Sequence, residues 1–125
     1  MAPDDPLLCV NLAWRMAYVG DDVDGAILVL EQALDRWPTT GGIHNFMGYL
    51  QMSKDNTGQA EKHFQMYVRL CPEVANAHDS MGDFLRKMGR LDEAKACYEK
   101  ALELDPDFSA SAKKIQEIEE EQAGA

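Results

Sequence analysis

Residues 75–108, ANAHDSMGDFLRKMGRLDEAKACYEKALELDPDF, decide the fold. From Leu91 onward the apolar side chains Leu91, Ala94, Cys97, Tyr98, Ala101 and Leu102 return every three or four positions. That spacing lines them along one stripe of an α-helix, about a third of its circumference wide. Gly89 and Arg90 break a helix that precedes this one. The pair Asp105-Pro106 closes the segment, because a proline ring cannot continue a helix and pushes the residue before it toward extended geometry. The stretch therefore reads as two antiparallel helices joined by a short turn.

Upstream, the same marks recur. Pro106 has counterparts at Pro72 and Pro38, each 34 residues apart. Gly82 recurs as Gly48, Ala94 as Ala60 and Ala26, Tyr98 as Phe64 and Leu30, and Ala101 as Tyr67 and Ala33. One module is written three times, in the frames 7–40, 41–74 and 75–108, and function has to be read from its columns.

The third frame, with His78-x2-Met81-Gly82-x2-Leu85, then Ala94-x3-Tyr98, then Pro106, resembles the tetratricopeptide repeat. The second keeps Met47, Gly48, Ala60, Phe64 and Pro72. The first departs from the pattern, for Trp14 stands where the family has a small residue that lets two helices approach. The resemblance implies an all-α fold, an α-α superhelix or solenoid of three antiparallel helix pairs. Residues 109–125 start a fourth unit but supply one helix, expected as a solvating cap with Ala112, Ile115 and Ile118 inward and Lys113, Lys114, Glu117 and Glu119 outward. Glu119, Glu120 and Glu121 fall near its carboxyl end, where the helix dipole disfavours acids, so a frayed tail is expected. Residues 1–6, with Pro3, Asp4, Asp5 and Pro6, read as a disordered lead-in.

The formal net charge of −10 argues against nucleic acid and anionic membrane as partners, since the chain has no basic stripe interleaved with aromatics. No apolar run approaches the ~20 residues that span a bilayer, and no charged start precedes an apolar stretch. Cys9, Cys71 and Cys97 lack the paired spacing of a zinc site or redox motif; they read as reduced thiols, which fits a cytoplasmic setting. His44 and His78 fill a packing column. His63 and Cys97 share a column without a third group to orient them, and no nucleophile elbow or phosphate loop occurs. Neither catalysis nor a cofactor is expected. Residues 20–31, GDDVDGAILVLE, look like a calcium loop in Asp22, Asp24, Gly25, Ile27 and Glu31, but Gly20 replaces the leading aspartate. The repeat frame accounts for the same residues: a helix ends at Gly20, and the aspartates complement the start of the next. No metal is expected either.

Because repeats of this family line a concave surface with the first helix of each pair, the resemblance implies where a partner would lie. One row is Asn11, Asn45 and Asp79, and the next is Arg15, Tyr49 and Asp83, flanked by Tyr18, Phe46, Met52, Asn76, Ser80 and Arg86. Asn11 and Asn45 can donate to and accept from a peptide backbone, or are simply polar surface. Asp79 and Asp83, one turn apart, favour a lysine or arginine on the ligand. Tyr18, Phe46, Tyr49 and Met52 would take apolar side chains, unless Phe46 and Met52 belong to the core. Relatives that grip acidic chaperone tails use several cations, whereas the corresponding positions here hold Asn11, Arg15, Phe46, Asn76 and Ser80. The expected function is an adaptor or scaffold that binds a peptide segment of a protein partner. The alternative is self-association into a homo-oligomer, or a regulatory part of a larger protein, through the first repeat and Trp14.

Overall fold

The computed structural model describes residues 4–124 and is all helical, with seven helices and, among the described residues, no strand. In chain order these are α1 (Pro6–Tyr18), α2 (Val23–Arg36), α3 (Gly41–Ser53), α4 (Thr57–Leu70), α5 (Ala75–Lys87), α6 (Leu91–Leu104) and α7 (Ser109–Ala123). The helices end where the prolines require: Trp37 and Asp105 leave the helical region, at φ −131° and −142°, just before Pro38 and Pro106. The turns inside each pair repeat as strictly. Asp21, Asp55 and Gly89 have φ of 53°, 60° and 78°, so one left-handed residue recurs with the period and reverses the chain between paired helices. Only the third pair uses glycine there. Aspartate tolerates the left-handed region better than most side chains, so the column is invisible as a glycine pattern.

Two compact units divide the chain, Met1–Met66 and Tyr67–Ala125. In the first, Cys9, Ala13 and Ala17 of α1 meet Ala26, Ile27, Leu30 and Ala33 of α2 and Ile43, Met47 and Leu50 of α3 in one buried cluster. Gly48 is indispensable to this packing. A Cβ on it would stand 2.6 Å from the ring of Phe64, which is fully buried and has nowhere to turn. The first repeat inverts the pair. Leu30 occupies the column of Phe64, and without a ring there position 14 has room for a side chain. The sequence leaves helix approach open at Trp14; small Ala13 and Ala17 provide it, and the indole is left 52% exposed.

The second unit repeats the contact, with the ring of Tyr98 2.6 Å from where a Gly82 Cβ would be. Its α7 packs on α6 and buries Ile118 and Ser111, rather than Ala112, which is exposed. Where fraying is expected, at Glu119–Glu121, α7 continues to Ala123, Arg86 donates to Glu121 at 2.7 Å, and Gln122 donates to Asp92 at 3.0 Å.

At the other end, residues 1–3 of the expected lead-in lie outside the described residues. Pro6 belongs to α1 as its first residue, where its missing N–H is no loss. Asp5 caps that helix by accepting from Leu7 N–H at 2.7 Å, and Asp4 pairs with Arg36 at 2.8 Å.

Candidate functional site

In the first unit α1 and α3 together carry one charged residue, Arg15, in a chain of net charge −10. Between them opens a cavity of about 600 Å³ lined by Val10, Trp14, Tyr18, Gly42, Asn45, Phe46 and Tyr49. The rings are mutually braced. Tyr18 lies parallel to Phe46 (3° between planes, centroids 6.1 Å apart), Trp14 tilts against Tyr18 at 5.5 Å, and Tyr49 stands edge-on to buried Phe64 at 5.0 Å. Such packing fixes aromatic side chains without hiding their outer faces. Asn45 adds a polar group: its carboxamide oxygen is buried and has no hydrogen-bond partner. A buried acceptor left unpaired costs about 1–3 kcal/mol.

The sequence-derived positions divide between the units. Tyr18, Asn45, Phe46 and Tyr49 meet at the cavity. Asn11 and Arg15 are exposed on α1 but do not line it, and half-buried Met52 lies outside it. Phe46 lines the cavity and also packs against the core. Val10, Trp14 and Gly42 were missing from the expected set. Trp14 was read as a break in the pattern and as a contact for self-association, yet an aromatic ring in a glycine column is itself the signal of a new wall.

In the second unit the expected ligand contacts are taken by the chain itself. Asp79, only 5% exposed, accepts from the Ser111 hydroxyl at 2.6 Å and from Lys114 Nζ at 2.8 Å. Lys114 also reaches Asp83 at 3.0 Å, which accepts in addition from the Tyr98 hydroxyl at 2.6 Å. Burial works against the Lys114 charge, but the hydrogen bonds and fields of Asp79 and Asp83 outweigh it and hold its pKa above the ordinary lysine value. Burial first, and then the bond to Asp83, push the Tyr98 hydroxyl far up. Arg86 pairs with Glu121 and Glu117 of α7, Asn76 donates to the Tyr67 hydroxyl at 3.1 Å, and Ser80 is buried. The lysine that Asp79 and Asp83 were expected to find on a ligand is Lys114. That reading is corrected.

The histidines hold the repeat boundaries. A carbonyl only accepts, so His44 Nε2–H donates to the Pro38 carbonyl at 3.0 Å, as His78 does to that of Pro72 at 2.9 Å. His44 Nδ1 is then bare and receives the Nδ1–H of His63 at 3.2 Å. Burial, and next the field of His44, lower the His63 pKa; Glu31 and Asp35 border the same polar cavity. Since the unfolded chain binds a proton at His63 more readily than the folded one, stability is full above the ordinary histidine value near ~6.5 and declines as pH falls below it. Urea melts between pH 7.5 and 5 should show that decline, and His63→Gln should flatten it; an unchanged slope would rule out His63 as its source.

In the calcium-like stretch Asp22 caps α2 by accepting from Gly25 N–H at 2.9 Å, and Asp24 pairs with Lys54. Among the described residues, no group of three or more His, Cys, Asp or Glu side chains is gathered as a metal ion would require. The Cys97 thiol is pushed up by burial and by Glu93, opposite to what a nucleophile needs. No helix among the described residues is long and apolar enough to cross a membrane.

Residues 75–108 match the family pattern described as tetratricopeptide repeat, the segment in which the Gly82–Tyr98 contact and the Pro106 stop occur. The chain thus carries a tetratricopeptide repeat over residues 75–108. Its repeat architecture is shared, at 21% identity, with the first such domain of human RPAP3 (TM-score 0.84, covering 95% of this chain and 93% of that one). The first tetratricopeptide repeat domain of Spaghetti (RPAP3), solved bound to the HSP90 peptide SRMEEVD, gives a TM-score of 0.81 at 21% identity, over 94% of this chain and 93% of that one. The crystal structure of MamA gives 0.80 at 21% identity, over 97% and 70%. At this identity the likeness is one of fold. Among curated proteins, Superkiller protein 3 of Schizosaccharomyces pombe (strain 972) is 33% identical over 64 residues, 51% of this chain; the chain spans only 5% of that relative's length.

Proposed function

We propose that this tetratricopeptide-repeat protein is an interaction module that binds a peptide segment of a partner on the α1–α3 face of its first unit. The observation that carries this reading is the cavity walled by Val10, Trp14, Tyr18, Phe46 and Tyr49, an apolar recess on an otherwise acidic chain. Peptides dock by seating side chains in such recesses while polar groups beside them hold the backbone. The acidic balance of the chain favours basic residues on the partner's flanks. An affinity in the micromolar range, about −8 kcal/mol, is what one recess supports after the peptide's ordering is offset.

The HSP90 peptide bound by the RPAP3 relative is acidic, and this chain is a poor match for it. Arg86 and Lys114 are committed to acids of the chain itself, leaving Arg15 as the one cation on α1 and α3. Calorimetric titration with SRMEEVD should give no binding tighter than about millimolar. Peptides selected from a displayed random library should bind the wild type and lose at least about tenfold in affinity with Asn45→Ala/Tyr49→Ala. Trp14→Gly, which restores the residue of the other two repeats, should weaken them similarly without disturbing the fold. Selected peptides that bind all three forms alike would place the site elsewhere.

A further inference from the structure

The recess is selective in a way that its position in the fold does not explain, and the following deepens, and rests on, the reading just given. We propose that the side chain it takes from the partner is an aromatic one bearing a hydrogen-bond donor, tryptophan or tyrosine, whose N–H or O–H is received by Asn45. None of the lining residues is charged, so a charged side chain entering it would lose its hydration and find no counter-ion. At about 600 Å³ the space exceeds what one aliphatic side chain fills. Its walls are rings held in tilted and edge-on arrangements, the contacts in which a further ring gains more than its area alone provides.

Asn45 supplies the second half of the selectivity. Its oxygen is buried and unpaired, and the broad torsion of an asparagine amide lets that oxygen turn to a donor arriving through the recess. A site with an unpaired acceptor discriminates strongly against a ligand that has no donor, because the acceptor then stays unpaired. The repeat columns show why the property is local. At the column of Asn45 the third repeat has Asp79, already bonded to Ser111 and Lys114, and at the column of Trp14 it has Gly82, which supplies no wall. The first unit alone joins an indole in the glycine column to an unsatisfied carboxamide.

The test uses short lysine-flanked peptides that differ at one central residue: tryptophan, its sulfur isostere benzothienylalanine, tyrosine, phenylalanine or leucine. Calorimetry with the wild-type chain should rank tryptophan about tenfold or more above benzothienylalanine, and tyrosine likewise above phenylalanine. Nuclear magnetic resonance shifts should concentrate on Trp14, Tyr18, Asn45 and Phe46. In Asn45→Ala both gaps should close; the isostere comparison in wild type stands even if that variant misfolds. Leucine or benzothienylalanine binding as tightly as tryptophan, at the same residues, would overturn this inference and leave the peptide site intact. Binding by none of the peptides, or shifts elsewhere, would overturn both.

Discussion

Replacing Gly48 with alanine should destabilise the chain by about 2 kcal/mol or more and lower its melting temperature by roughly 5–10 °C. Two effects compete at this position. Alanine is the better helix former by about 1 kcal/mol, which alone would raise stability. Against it, the new methyl would lie 2.6 Å from the Phe64 ring, which is wholly enclosed and cannot move without shifting α3 from α4. Overpacking of that kind costs about 1–3 kcal/mol net of small relaxations, and the ring's enclosure favours the upper end. The first repeat indicates the remedy, since there leucine stands opposite a residue with a side chain. Phe64→Leu should cost about 1 kcal/mol alone, yet the double variant Gly48→Ala/Phe64→Leu should be more stable than Gly48→Ala. Strictly additive losses in thermal melts would mean that the two positions do not contend for the same space.

A loss of comparable size is expected from Lys114→Met. The methionine keeps much of the apolar stem but removes the charge that Asp79 and Asp83 surround. Breaking a fully buried pair costs about 3–5 kcal/mol; here a quarter of the lysine side chain is exposed, so about 2 kcal/mol is the appropriate figure. Adding Asp79→Asn, the residue its column holds in the second repeat, should recover part of the loss by removing the stranded carboxylate. Urea denaturation of the wild type and the two variants measures this directly. A Lys114→Met midpoint equal to wild type would show that Asp79 is comfortable without its partner.

The fold was legible because its constraints are periodic. Proline stops, the Gly48–Phe64 and Gly82–Tyr98 contacts and the helical stripe between them all repeat at one interval, and each is a short-range steric demand that residue types reveal. The turn column was hidden, since Asp21 and Asp55 adopt by tolerance what Gly89 adopts freely. At the candidate site, column logic brought Tyr18, Asn45, Phe46 and Tyr49 together. It failed in the second unit because it treats each helix as facing solvent. There Asp79, Asp83 and Arg86 face Lys114, Glu117 and Glu121, charges that complement one another in order along two helices. That matching was present in the sequence, but only contact between α5 and α7 gives it meaning. Trp14, read as a contact for self-association, was left out of the groove for the opposite reason: a departure from a pattern reads as damage until the space beside it is seen.

The exchange of glycine for tryptophan at position 14 also equips the molecule with an optical reporter. Its other indole, Trp37, is half-buried under the guanidinium of Arg36 at 4.7 Å and supplies a steady background emission. Trp14, 52% exposed, lines the recess, so a peptide seated in the proposed site would dry that ring and should shift its fluorescence to the blue. The wild-type chain would thus report occupancy of the proposed site without a dye.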